Sequence, residues 1–290
     1  MPVLAAGRLA ALPGAVWAAG GSDVTRIDTG TGATRDLALD TGGDNLDSIA
    51  AAPDALWLAD YEGGKVLRVD PATGRVTARV DTAHPEWILA TPTAVWVTNH
   101  HEGTLAQLDP RSGRVVRTVE VGPTGSDGPL ALAIGDGSLW VDVPNSSEVV
   151  RLDRRSGAIV ARIAVPAPAV PCGGMLVTST AVWVTSCGDA AVLERIDPAT
   201  NQAVATISLA GLAVSPVEID GRLWLPEQDE QGGDGRLERI DPATNTVDRT
   251  MDIPVAAMRD STAVVADGQL WVSDGQDEVL RIALGAIVGP

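Results

Sequence analysis

Short apolar runs of four to six residues recur along the chain, separated by polar stretches rich in Gly, Asp, Asn and Pro. Runs of that length, rich in Val, Ile, Leu and Trp and bounded by turn residues, read as β-strands rather than helices. One stretch shows the grammar in full: Trp87 to Ala90, a Thr-Pro-Thr turn, Ala94 to Thr98, a polar loop, Thr104 to Leu108, an Asp-Pro-Arg-Ser-Gly turn from Asp109, and Arg114 to Val121. The same order recurs around Trp17, Trp57, Trp96, Trp140, Trp183, Trp224 and Trp271, at spacings of 40, 39, 44, 43, 41 and 47 residues. A period of roughly 40–45 residues is that of a four-stranded propeller blade. The pattern therefore predicts an all-β fold, a seven-bladed β-propeller of four-stranded antiparallel blades, with residues 1–290 as one domain.

Two repeated features have structural explanations. The seven aligned tryptophans are expected to wedge between neighbouring blades, since a large ring on each second strand fills that space. Turns beginning at Asp28, Asp70, Asp109, Asp153, Asp197 and Asp241 combine an Asp that accepts backbone N–H bonds with a Gly or Asn for the left-handed position. Blade seven is irregular. Glu278 to Ala283 reads as its third strand, and either Ala286 to Val288 or a segment upstream of Met1 is expected to supply the outer one, because a propeller must cover its open edge.

The stretch Val95-Trp-Val-Thr-Asn through Leu108-Asp-Pro-Arg-Ser-Gly to Val121-Gly122 resembles the YVTN-type propeller repeat. It is also similar to the repeats of streptogramin (virginiamycin B) lyases, in which the strand reads Trp-aliphatic-Thr-Glu. The likeness runs over essentially the whole chain and implies a propeller, with a His and acidic metal ligands near its axis. At the family's Glu position this chain has Gly20, Asp60, Asn99, Val143, Ser186, Glu227 and Asp274, so only blade six keeps the Glu.

Composition narrows the partners. A formal net charge of -17 repels phosphate backbones and anionic bilayers, so neither nucleic acid nor membrane insertion is expected. No stretch approaches the roughly 20 apolar residues that span a bilayer. A monomer with a small-molecule ligand or a protein partner on its loop face is the expectation. The first residues match the repeat rather than a signal peptide, so any export signal or anchor is expected outside this sequence.

Candidate chemistry gathers on one face, where the loops leading into first strands and the loops joining second to third strands both open. All three histidines fall there. If the first hairpin of blade three folds about Pro92 and Thr93, His84 lies opposite His101 and Glu86 opposite Asn99. Cross-strand neighbours at about 4.5–5.5 Å could share a proton or a divalent metal. His84, His101 and Glu86 are thus the candidate catalytic residues, and with Glu102 the candidate ligands of zinc or another first-row ion. The alternative is a pair of solvated surface histidines.

Trp87, the eighth tryptophan, begins an innermost strand and either contacts a ligand or fills the channel. Arg259 is a candidate for a substrate carboxylate, or for neutralising nearby acids. Asp47, Asp60, Tyr61, Asn99, His100, Glu227 and Asp274 complete the candidate ligand surface. The acidic loop from Glu227 to Gly235 could hold calcium or simply be solvated. Cys172 and Cys187 are placed cross-strand in blade five's first hairpin, at disulfide distance; a bond there points to an oxidising compartment, and the alternative is a reduced, buried pair.

The expected function is an extracytoplasmic ligand-binding or sensory propeller. The alternatives are a metal-assisted lyase or hydrolase of a cyclic ester or similar small molecule, and a protein-interaction module. No Gly-x-Ser-x-Gly, phosphate loop or dinucleotide fingerprint occurs.

Overall fold

Each tryptophan-centred repeat closes into its own antiparallel sheet, and seven such sheets follow one another around the ring. This is a computed structural model; it describes residues 1–290 apart from 5, 40–44, 189, 228–234, 255–260 and 289–290. Among the described residues, blades one to six have four strands each and blade seven has three. Blade three illustrates the order from axis to rim: Pro85–Ala90, Val95–Asn99, Thr104–Leu108 and Val115–Glu120.

The second strands form the heart of each blade. They are buried almost throughout, and their seven tryptophans are at most 5% exposed. Opposite Trp17, Trp57, Trp140, Trp183, Trp224 and Trp271 on the third strand stands an arginine; opposite Trp96 stands Gln107. In five blades its guanidinium lies 4.9–6.0 Å from the indole ring, within cation–π range. Three of these arginines then reach the next blade. Arg68 Nε donates to Pro110 O (3.2 Å), Arg151 Nη1 to Asn201 Oδ1 (2.9 Å) and Arg195 Nη1 to Pro242 O (2.8 Å).

The acceptors belong to the Asp-Pro turns, which behave as the sequence predicts. The carboxylates of Asp70 and Asp109, and of Asp153 in the equivalent Asp-Arg turn, accept N–H groups of their own turns; these bonds, and for Asp153 first the Ser156 hydroxyl, hold their pKa values below the ordinary carboxylate range. Gly74, Gly113 and Gly157 take the left-handed position (φ 71–74°), as do Asn201 and Asn245 (φ 55° and 57°) in blades five and six.

Blade seven differs from one of the two expectations. Leu284–Val288 is a helical turn, so Ala286 to Val288 makes no outer strand. The beginning of the chain lies there instead. Pro2 bridges antiparallel to Glu278, Val279 N donates to Met1 O (3.0 Å), and Val3 N donates to Asp277 O (2.8 Å). Blades seven and one are also joined through Thr262 Oγ1, which accepts from Leu9 N (2.6 Å), and Ser273 Oγ, which donates to Gly7 O (2.6 Å).

Because each Trp fills an interblade space that no neighbour can refill, Trp140→Ala is expected to lower the unfolding free energy by about 3–5 kcal/mol. Arg151→Ala is expected to cost less, about 1–2 kcal/mol. Guanidinium denaturation of both variants against the parent checks the ranking.

Candidate functional site

The first hairpin of blade three follows the predicted register from Val95–Ala90 to Val97–Ile88 and then shifts, so that Asn99 pairs with Pro85 rather than Glu86. The cause is local. Pro85 has no N–H for the ladder, and Thr98 turns its hydroxyl inward to accept Trp87 N (2.9 Å) and donate to Leu130 O (2.9 Å) of the next blade. Blades two and five shift register at the same end of their first hairpins.

The slip places His84 opposite His100, whose N–H donates to His84 O (2.9 Å), yet the His84 and His101 rings still meet at 4.4 Å. His84 Nδ1 lies 2.9 Å from Glu102 Oε1, and His101 Nε2 lies 2.9 Å from Tyr61 Oη. His100 is half-buried, with Nδ1 3.4 Å from Pro129 O. Burial holds its pKa below the ordinary imidazole value, with a smaller contribution from His101, against the Pro129 carbonyl. Gly128 permits this approach, since a Cβ there would overlap the His100 carbonyl.

Glu86 is separate from the imidazole pairs. Its Oε1 lies 3.4 Å from Arg8 Nη2, while Arg8 Nε donates to Asp47 O (2.8 Å) and the guanidinium sits 4.0 Å from the centroid of Trp87. The proposed ligands His84, His101, Glu86 and Glu102 are thus engaged by Glu102, Tyr61 and Arg8. Among the described residues no three His, Cys, Asp or Glu side chains are grouped to hold a metal ion. These residues do not fit the ion that the lyase resemblance implies.

What the loop face does contain is a cavity of about 430 Å³. Tyr61, Glu86, Trp87, His100, Asp127 and Asn145 contribute its polar and aromatic wall; Arg8, Leu130, Pro144, Val170 and the Cys172–Cys187 disulfide complete it. The cysteines lie 5.3 Å apart at Cα, as their hairpin position predicts. Arg8 and Trp87 also line the axial channel of about 520 Å³, so their stack partitions the two spaces.

Other candidates fall outside the cavity. Asp60 is buried and braces its own loop through Gly63 N (2.8 Å) and Lys65 Nζ (3.5 Å). Asn99 is held by Thr82 and Thr104, Asp47 accepts Tyr61 N, and Asp274 accepts Gln276 N and Glu278 N. Glu227 is buried in blade six, where desolvation and the adjacent Glu238 carboxyl push its pKa up to about 9. Arg259 and most of the loop from Glu227 to Gly235 lie outside the described residues.

Sequence reasoning missed two residues. Arg8 was visible only as one of seven residues beginning innermost strands. Asp142, two positions after Trp140, is fully buried, and its Oδ1 accepts Leu130 N (3.2 Å) and Ala131 N (2.7 Å). Desolvation raises its pKa well above the ordinary value against those bonds and the Arg8 charge. Thr98, Thr185 and Ser273 hold the equivalent position, so an acid there was a readable departure.

Taken together, these features define a β-propeller with one pocketed loop face beside its axial channel. The glutamine cyclotransferase family model matches residues 18–170, a little over half of the sequence, and the chain belongs to that family. No curated protein matches it in sequence. Among solved structures, virginiamycin B lyase from Staphylococcus aureus is similar at 17% identity and TM-score 0.77, over 95% of this chain and 94% of that one. BamB from Moraxella catarrhalis is similar at 14% identity and TM-score 0.68, over 96% and 85%. A chain of a mitotic checkpoint complex aligns at 14% identity and TM-score 0.79, over 98% and 91%. At such identities these likenesses show the fold alone. The findings support a propeller family and not the YVTN-type assignment.

Two outcomes follow. Glu227 holds a proton when folded that the unfolded chain releases above its ordinary value, so its contribution is full below about pH 4.5 and is lost as pH rises towards about 9. Glu227→Gln is expected to flatten the decline of Tm across that window, as thermal melts in a buffer series will show. Cys172→Ser/Cys187→Ser opens a link across 15 residues and is expected to cost about 3 kcal/mol, read by denaturant unfolding.

Proposed function

We propose that the loop-face pocket binds a small molecule carrying a protonated or nucleophilic amine, and that the protein works outside the cytoplasm. The observation that carries this reading is the shared wall of Glu86, Asp127, the half-buried His100 and the Trp87 ring around one cavity of about 430 Å³. Carboxylates attract the amine, Trp87 offers a flat apolar surface, and burial favours the uncharged form of the imidazole. The disulfide suits an oxidising compartment. No described helix is long and apolar enough to cross a membrane.

Family membership favours a second, catalytic reading. Nine of the twelve residues lining the pocket fall within the matched span 18–170. In this reading the substrate is a glutaminyl amine. Its nitrogen bonds to the side-chain amide carbon, the amide C–N bond breaks and ammonia leaves. His100 accepts the amine proton and returns it to the departing nitrogen. The reaction needs no ion, unlike the metal-assisted lyase or hydrolase reading, whose ligands are here paired with other groups.

The test is calorimetric titration with glutaminyl-alanine and with its N-acetylated form, alongside ammonia release. Binding is expected for the free amine only, weakened about tenfold or more by Glu86→Gln or Asp127→Asn. Equal binding of both forms would sink the amine-site reading. Ammonia release lost in His100→Ala supports the catalytic one, and binding without release removes it.

A further inference from the structure

Far from the pocket, the outer rim carries an arrangement that ring closure does not require. Where the outer strand bulges against the third, blades two and six place Thr77 and Asp248. Both serve the scaffold by accepting from the arginine over the blade's tryptophan: Arg68 Nη1 to Thr77 Oγ1 (3.0 Å), Arg239 Nε to Asp248 Oδ1 (2.7 Å). The same bulge position in blades three, four and five holds Val116, Val160 and Val204, which are 55%, 54% and 52% exposed. Val115 and Ile159 beside them are exposed as well. Three consecutive blades thus give up a polar scaffold contact for a solvent-facing β-branched residue.

Charge marks the middle of this row. In a chain of net charge -17, Arg111 and Arg114 precede the exposed valines of blade three, and Arg154 and Arg155 precede Ile159 and Val160 of blade four, all four arginines being exposed. The acids of their own turns, Asp109 and Asp153, are turned inward by bonds from Ser112 N (2.7 Å) and Ser156 N (2.7 Å), and Glu120 stands at the far end of the blade-three strand. Arg117 ties the two blades together by donating to the carbonyls of Arg155 and Ser156. Val115–Glu120 and Ile159–Ala164 end their sheets, so each presents a backbone edge without a further strand among the described residues.

We propose that the rim of blades three and four is a docking surface for an acidic, extended segment of a partner protein, added as a fifth strand to the edge of blade three. Backbone pairing along Val115–Glu120 supplies the register, alternate aliphatic side chains cover Val116 and Val160, and carboxylates meet Arg114 and Arg155. This surface is independent of the loop-face pocket, so either reading stands if the other fails.

The probe is a fluorescent acetylated peptide of four Glu-Val repeats, followed by anisotropy at low and high salt, with the Lys-Val peptide as control. Saturable binding of the Glu-Val peptide is expected, reduced about tenfold or more by salt or by Arg114→Glu/Arg155→Glu. Val116→Thr/Val160→Thr, which changes two exposed residues and leaves the arginines in place, is expected to weaken it as well. No binding, equal binding of both peptides, or full affinity in the charge-reversed protein would overturn the proposal. So would a dimer in sedimentation that Arg114→Glu/Arg155→Glu abolishes, or binding to phosphatidylserine vesicles in preference to the peptide, since either assigns the rim to another occupant.

Discussion

The ring depends on a contact made at the blade boundaries: an indole buried on each second strand, with a third-strand guanidinium above it in five blades. Burial of the ring supplies the larger share of the energy. The arginine adds direction, because in blades two, four and five its remaining N–H groups end on the turn of the following blade. In these three blades a sheet that could slide over its neighbour is thereby held at one rotation. Blade three, with Gln107 opposite Trp96, lacks this arginine; Thr98 joins it to blade four from the axial side instead.

Such regularity leaves the loop-facing ends of the innermost strands as the place where blades can differ. Blades two, three and five slip register there, and each slip frees polar groups that a ladder would have consumed. In blade three the slip turns Glu86 towards Arg8 of blade one, so that the guanidinium stacks on Trp87 and closes the mouth of the channel. The cavity is consequently bounded by residues from five consecutive blades, each of which could change without altering the Trp–Arg boundary.

Blade number, strand order and turns were legible because each rests on a local rule repeated along the chain: the tryptophan period, the Asp that caps its own turn, the Gly or Asn at positive φ. The Cys172–Cys187 bond was legible from hairpin counting, since each residue lies seven positions from the turn at Ser179 and Thr180. Counting failed in blade three, where Pro85 and Thr98 together displace the register by one residue, a tertiary effect involving Leu130 of another blade. Arg8 was hidden for the same reason, as its partners Asp47, Glu86 and Trp87 come from two other blades. Blade seven's edge was half legible: the need for a cover followed from its missing turn, but nothing local marked Pro2 as the residue opposite Glu278.

Net charge misled by its size, because it averages over two surfaces of different character. The acids of the Asp-Pro turns are spent on their own backbones, each accepting N–H bonds that keep it ionised but shielded. Asp142 and Glu227 are buried, and desolvation favours their neutral forms. The carboxylates that reach solvent through the loop face, Asp127 and Glu86 among them, therefore matter more to a ligand than the total does. Arginines on the far rim meet little opposition from the acids of their own turns. A protein counted as uniformly acidic thus carries exposed carboxylates at one mouth and exposed arginines along one edge, a polarity that arises from where the turns turn their carboxylates rather than from how many there are.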